Sequence, residues 1–168
     1  ILVKYLQRNP LEIQCLKTLR FLLIGGEAMN IEQVNCFRTM CPWVTVYNTY
    51  GPSETSIGVI FHKVGESDVD SVPLGLPIDN VHVLVLDSHR SLQPFGAPGE
   101  LYLAGACVGT GYVANPEATR DAFVDNSFPE IPGDKMYKTG DRVYYREDGR
   151  LCFLGRQDDQ VKINGIRV

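Results

Sequence analysis

The sequence predicts an α/β fold followed by a small antiparallel β-barrel-like subdomain, and three observations carry that expectation. A largely apolar run at residues 19–24, broken only by Arg20, ends in Gly25-Gly26. A β-branched and aromatic run, Val44-Thr45-Val46-Tyr47, follows an amphipathic helical pattern. Near Gly65 the texture changes to short half-buried strand patterns separated by turn formers. The expected divisions are residues 1–63, 64–155 and 156–168.

Taken in order, residues 1–7 place apolar side chains at helical spacing, with Pro10 beyond them. The run at 19–24 reads as a buried parallel strand. Two glycines at its carboxyl end let the backbone pass close to a ligand, and such ends are where open α/β sheets bind. Asn30, with Gln33 three residues on, marks a helix start; Ile31, Val34, Phe37 and Cys41 form its apolar stripe, and Pro42 ends it. The next strand runs into Asn48-Thr49-Tyr50-Gly51-Pro52-Ser53-Glu54, so two strands of one sheet deliver Gly26-Glu27 and Tyr50 to Glu54 to one edge. In the second half, strands are expected at 81–86, 100–104, 142–145 and 150–154. Asp148-Gly149 joins the last two as a hairpin, and Asn115-Pro116-Glu117 opens a short helix.

Composition narrows the function classes. Of 168 residues, 44% are hydrophobic and 21% charged, which are globular values. The net charge is -4 and the basic residues are scattered, so nothing asks for nucleic acid. The apolar runs are strand-sized, far below the ~20 residues of a membrane helix, and a soluble chain with no membrane partner is expected. The five cysteines are odd in number and form no Cys-x-x-Cys pair; they read as reduced packing residues of a cytoplasmic protein. The chain opens on Ile1 without a signal pattern and stops at Val168 just after a strand-like run, and both ends look cut from something larger.

The corner at 48–54 presents an aromatic ring, a hydroxyl and a carboxylate together: a π-face for a base, a hydroxyl for a phosphate oxygen, an acid for a metal. An ordinary strand-to-loop corner is the competing reading. In Tyr137-Lys138-Thr139-Gly140-Asp141, an acid at a strand start is disfavoured by propensity. A carboxylate there can accept from both hydroxyls of a ribose, and an Asx-turn explains it equally. The glycines at 105, 109 and 111 miss both the dinucleotide and the phosphate-loop spacings, so the 99–112 stretch reads as a packing motif. Residues 155–165 read as a charged linker where a hinge would sit. His62, His82 and His89 have no partner acid at a recognisable spacing, and no catalytic triad is visible.

In order, the blocks at 19–28, 48–54, 99–112, 137–141 and 155–168 resemble the adenylate-forming enzymes, and most closely the adenylation domains of nonribosomal peptide synthetases. The resemblance implies a fragment of that fold: the carboxyl-terminal part of its large subdomain, with 156–168 as the hinge and first strands of a mobile lid. It implies ATP and Mg²⁺ as cofactors, a carboxylic acid substrate activated as an acyl-adenylate, and transfer to the phosphopantetheine thiol of a carrier protein among neighbouring synthetase domains. Tyr50 would stack on adenine, with Asn48 and the Gly26-Glu27-Ala28 backbone meeting the base. Ser53 would contact the α-phosphate, where Thr is commoner, and Glu54 would hold Mg²⁺. Asp141 would bind the ribose hydroxyls, Phe153 would pack near the adenine, and Arg156 would reach the ribose and phosphate region. Asp158 matches the hinge.

Leu23, Gly25, Thr49, Ile57 and Gly58 match substrate-pocket positions. None is charged, so a substrate with an uncharged side chain is expected, because an ionised one would be buried unpaired. The two glycines are expected to leave room for some bulk. An amino acid is not distinguished from a keto, hydroxy or aryl acid. Gly109 departs from the family's usual Ala, and Asn164 from a frequent Arg. The family's phosphate loop and lid lysine have no counterpart in these residues, so the 168 residues alone are expected to catalyse adenylation weakly. An acyl-CoA ligase and a catalytically dead interaction module are the alternatives.

Overall fold

The computed structural model describes residues 1–68 and 70–157, together with the backbone of 162–163 and 166–167. The chain opens with helix α1 (Leu2–Arg8) and a 3-10 turn (Pro10–Leu16). Strand β1 (Phe21–Gly25), helix α2 (Ile31–Met40) and strand β2 (Thr45–Tyr50) follow, then β3 (Ile60–Lys63) and β4 (Leu76–Pro77). These strands form one sheet in the order β1-β2-β3-β4, with β1 parallel to β2 and the other pairs antiparallel. The expected N-cap is present: Asn30 Oδ1 accepts from the Gln33 amide at 2.9 Å. The α2 stripe of Val34, Phe37 and Cys41 packs with Leu6, Val44, Val46 and Val64 to cover one face of this sheet.

The expectation of a fully buried first strand is corrected. Leu22 and Ile24 pack under the helices, whereas Phe21 and Leu23 alternate outwards and are 57% and 56% exposed. The reason is position: β1 is the edge of the sheet, and the helices cover one face only.

The second half is a curled, half-barrel sheet. It comprises β5 (Val81–Leu86), β6 (Gly99–Gly105), β7 (Phe123–Asp125), β8 (Lys135–Tyr145) and β9 (Leu151–Arg156), in the order β5-β6-β8-β7 with β9 pairing β8. All pairs are antiparallel. Helix α3 (Pro116–Ala122) precedes β7 and is capped by Asn115, whose side chain accepts from the Ala118 amide. A short antiparallel pair, β10 (Lys162–Ile163) and β11 (Ile166–Arg167), closes the described chain. Among the described residues, no helix is long and apolar enough to cross a membrane, and all five cysteines are free.

The two sheets share a core. Val59 and Ile60 of the first pack with Leu101, Leu103, Val143 and Leu151 of the second, all at most 1% exposed. Full burial of side chains of this size is worth about 1.5–3 kcal/mol each, so the sheets are joined by substantial apolar contact. A backbone seam adds to it: the Leu74 amide donates to the Leu151 carbonyl at 2.8 Å, and the Leu151 amide to the Gly75 carbonyl at 2.9 Å. Gly75 sits at φ +108°, and a Cβ there would stand 2.0 Å from the Phe61 carbonyl oxygen, so only glycine lets the seam close.

Two further sequence expectations are corrected. Asp141 is not at a strand start but within the 11-residue β8. Pairing of Tyr102 with Lys138 and of Glu100 with Arg142 sets two steps along β6 against four along β8, so residues 139–141 bulge. Gly140, at φ +74°, permits the bulge. His62 does have an acid: its Nε2 lies 2.8 Å from Asp68 Oδ2, with both residues buried. The Gly65 amide donates to the same oxygen at 2.7 Å. Burial alone would raise the Asp68 carboxyl, but the Gly65 amide and His62 outweigh it and hold its pKa below the usual carboxylate range.

Candidate functional site

Parallel pairing sets Gly25 opposite Thr49, so the chain leaves β1 as Gly26-Glu27-Ala28 beside the point where β2 ends in Tyr50. These three residues are exposed, and Gly26 has φ +93° with open space where a Cβ would be. Residues 51–58 then connect β2 to β3, closed by the Val59 amide donating to the Tyr50 carbonyl at 2.9 Å. Inside this loop, a Cβ on Gly51 would stand 2.0 Å from the Ile57 carbonyl oxygen, so the turn needs the glycine. Ser53 is exposed and Glu54 half-buried. Ile57 is 75% exposed at φ +63°, an unfavourable region for a β-branched residue.

The second sheet meets this corner at Asp141. Tyr50 donates its hydroxyl to Asp141 Oδ2 across 91 residues of sequence. Register places Arg156 of β9 directly opposite Asp141, and its Nη1 donates to Asp141 Oδ1 at 2.9 Å and to the Thr139 carbonyl at 3.2 Å. Thr139 Oγ1 donates to the Leu101 carbonyl at 2.8 Å and accepts from the Asp141 amide at 3.0 Å, which fixes the bulge. Burial, then the charge of Asp141, raises the Tyr50 phenol well above its ordinary pKa, so Tyr50 stays a donor.

Not all the expected residues converge. Asn48 is buried, and its Nδ2 donates to the Pro73 carbonyl at 2.7 Å, with alternation along β2 turning it to the same face as Val46. Phe153 is exposed on β9, the strand that supplies Arg156. Asp158 lies outside the described residues. Leu23, Gly25 and Thr49 share the uncovered face of the first sheet, with Ile57 and Gly58 in the loop above. The expectation that the glycines leave room is corrected. A Cβ on Gly25 would lie 2.4 Å from the Thr49 carbonyl oxygen, and one on Gly58 3.0 Å from the Phe61 ring, so that space is already occupied.

Three participants escaped the sequence reading. Tyr112 donates its hydroxyl to Glu54 Oε1 at 2.6 Å. Glu100 Oε1 accepts from the Gly140 amide at 3.2 Å, bracing the bulge that carries Asp141. Lys138 approaches Glu100 to 4.0 Å. With Arg156 these residues line a cavity of about 420 Å³ beside Asp141. The available signal was the placement of Glu100 and Tyr112 at the two ends of the glycine-dense 99–112 stretch.

Burial raises the Glu100 carboxyl above its usual pKa, against the pull of Lys138 and the Gly140 amide. An acid raised in the folded state holds more protons folded than unfolded, so its contribution to stability declines as pH rises from 4.5 through the raised value. Glu100→Gln, which keeps an acceptor for Gly140, is expected to flatten that decline in thermal melts recorded across the window. Parallel wild-type and variant curves would contradict it.

Comparison with known proteins bears on this arrangement. Residues 1–113 match the family described as AMP-binding enzyme. The chain is 44% identical over 155 residues to the malpibaldin synthetase of Mortierella alpina, covering 91% of this chain and 3% of the relative. It is 39% identical over 150 residues to gramicidin S synthase 2 of Brevibacillus brevis, covering 89% of this chain and 3% of the relative. The fold superimposes on PA1221, a nonribosomal peptide synthetase protein containing adenylation and PCP domains, with a TM-score of 0.85 and 36% identity, over 95% of this chain and 32% of that one. The chain thus spans a few per cent of those curated relatives and about a third of that solved structure.

Proposed function

The chain belongs to the family of AMP-binding enzymes and carries the adenylation-domain fold of nonribosomal peptide synthetases; on that premise we propose that it takes part in ATP-dependent activation of a carboxylic acid. The acid, an amino acid or a related acid with an uncharged side chain, becomes an acyl-adenylate. The acyl group then passes to the phosphopantetheine thiol of a carrier protein, a reading supported by the PCP domain that PA1221 contains beside its adenylation domain. The observation that carries the proposal is the meeting of Tyr50 and Asp141 from two different sheets.

The residues present fit the implied groups. An ionised carboxylate has about four lone-pair sites. Tyr50 and Arg156 use one on each oxygen of Asp141, which leaves capacity for two ribose hydroxyls. In this reading the Tyr50 ring faces the base, the open backbone of Gly26-Glu27-Ala28 borders it, and Arg156 supplies positive charge on the phosphate side. Ser53 offers a hydroxyl to the α-phosphate. Among the described residues no cluster of three or more His, Cys, Asp or Glu could hold a metal. A single hard carboxylate, Glu54, suits Mg²⁺, which is commonly bound by one or two carboxylates together with substrate phosphates. When bound, Mg²⁺ would offset phosphate charge.

Leu23, Thr49 and Ile57 would border the acid's side chain with uncharged surface. The test is acid-dependent exchange of pyrophosphate into ATP by the whole adenylation domain, across a panel of carboxylic acids. Exchange is expected with neutral side chains and little with ionised ones. Exchange with no member of the panel, or a preference for charged side chains, would overturn the reading.

A further inference from the structure

Glu54 is gripped at two points by the loop leading out of the second sheet. The Gly109 amide donates to the Glu54 carbonyl at 2.9 Å, and the Tyr112 hydroxyl donates to Glu54 Oε1 at 2.6 Å. The backbone grip depends on the residue at 109: a Cβ there would stand 2.9 Å from the Glu54 carbonyl oxygen, so glycine permits an approach that any other residue would push apart.

Tyr112 is itself held from behind. Its amide donates to Thr119 Oγ1 at 2.9 Å, and its ring meets Phe123 edge-on with centroids 5.5 Å apart. Thr119 lies on α3, whose cap at Asn115 fixes the helix start. A chain of contacts thus runs from α3 through the tyrosine to a carboxylate 58 residues earlier in sequence.

We propose that Tyr112 is a positioning residue that orients the Glu54 carboxylate for Mg²⁺, an inference that rests on the function proposed above. The hydrogen bond that Tyr112 donates fixes one carboxylate oxygen, Oε1, and so sets the orientation of the group. Partners that orient metal ligands in this way typically change metal affinity by 10- to 100-fold when removed. Tyr112 also lines the cavity it shares with Thr139 and Arg156, so the same side chain borders the Asp141 region.

The test is Tyr112→Phe in the whole adenylation domain, which keeps the ring against Phe123 and removes only the hydroxyl. The affinity of the nucleotide-bound domain for Mn²⁺ as a Mg²⁺ probe, read directly by electron paramagnetic resonance, is expected to fall about tenfold or more, and the half-saturating Mg²⁺ concentration in pyrophosphate exchange to rise in parallel. The KM for the acid substrate should stay near the wild-type value, and excess Mg²⁺ should restore most of kcat. Thr119→Val, which removes the anchor of Tyr112 without touching Glu54, should shift the Mg²⁺ requirement the same way by less, and Thr119→Ser should restore it. An unchanged Mg²⁺ requirement in an actively exchanging Tyr112→Phe enzyme would overturn the proposal while leaving the proposed function standing. A wild-type enzyme that exchanges with no acid would overturn both.

Discussion

Asp141→Asn is expected to weaken ATP binding by ten- to a hundredfold and to lower the melting temperature. The carboxylate is 9% exposed and accepts from Tyr50 and from Arg156 at once, with the ribose hydroxyls assigned to its remaining lone pairs. Hydrogen bonds to charged groups contribute about 1.5–3 kcal/mol each, so losing one well-placed bond accounts for that range. Asn offers one acceptor oxygen and turns an NH₂ group on the other side. Whichever way it sits, either the Arg156 guanidinium or the Tyr50 hydroxyl faces a donor. The Arg156 guanidinium, 13% exposed, then loses the charge of one carboxylate it donates to, which lowers stability by about 1.5–3 kcal/mol. Isothermal titration with ATP and a thermal melt on the same sample check both parts. Wild-type affinity in a correctly folded variant would remove Asp141 from the site.

Glu54→Gln is the second large effect. It is expected to reduce adenylation on the order of a hundredfold or more, comparable to the loss of a single preorganised group in a transition-state site. Gln keeps an acceptor for the Tyr112 hydroxyl and fits the same half-buried space, so the melting temperature should hold. What changes is the charge on the ligand for Mg²⁺, and the amide oxygen is the weaker donor to a hard cation. The loss should appear in kcat and in the Mg²⁺ requirement, measured by pyrophosphate exchange over a Mg²⁺ series. A variant that lost stability in parallel with activity would point to a structural role instead.

Much of the scaffold was legible because its signals are local. The caps at Asn30 and Asn115, the hairpin at Asp148-Gly149 and the strand at Val81–Leu86 each rest on residues within a few positions of one another. The pairing of Tyr50 with Asp141 was foreshadowed by motif order alone, since nothing local connects residues 91 apart.

What stayed hidden depends on geometry that emerges only when the sheets close. The bulge that carries Asp141 into the middle of β8 arises from the unequal pairing with β6, and the register of the two strands is not written in either one. The His62 pair with Asp68 spans a turn whose closure depends on the Gly65 amide. The bond from Asn48 to the Pro73 carbonyl joins residues 25 apart, and nothing in the motif that holds Asn48 announces it. Gly25 and Gly58 looked like spare room, whereas cross-strand and ring contacts already fill that space.

The placement of one nucleoside between the two sheets is tested most directly by comparing AMP with 2′,3′-dideoxy-AMP in equilibrium binding to the wild-type domain and to Asp141→Asn. The wild type should favour AMP by about tenfold or more, since the analogue leaves the Asp141 carboxylate without its hydroxyl partners, and the variant should bind the two nucleotides nearly alike. Equal preference for AMP in both proteins would mean that the sugar is held elsewhere, and the site described at the junction of the sheets would be wrong.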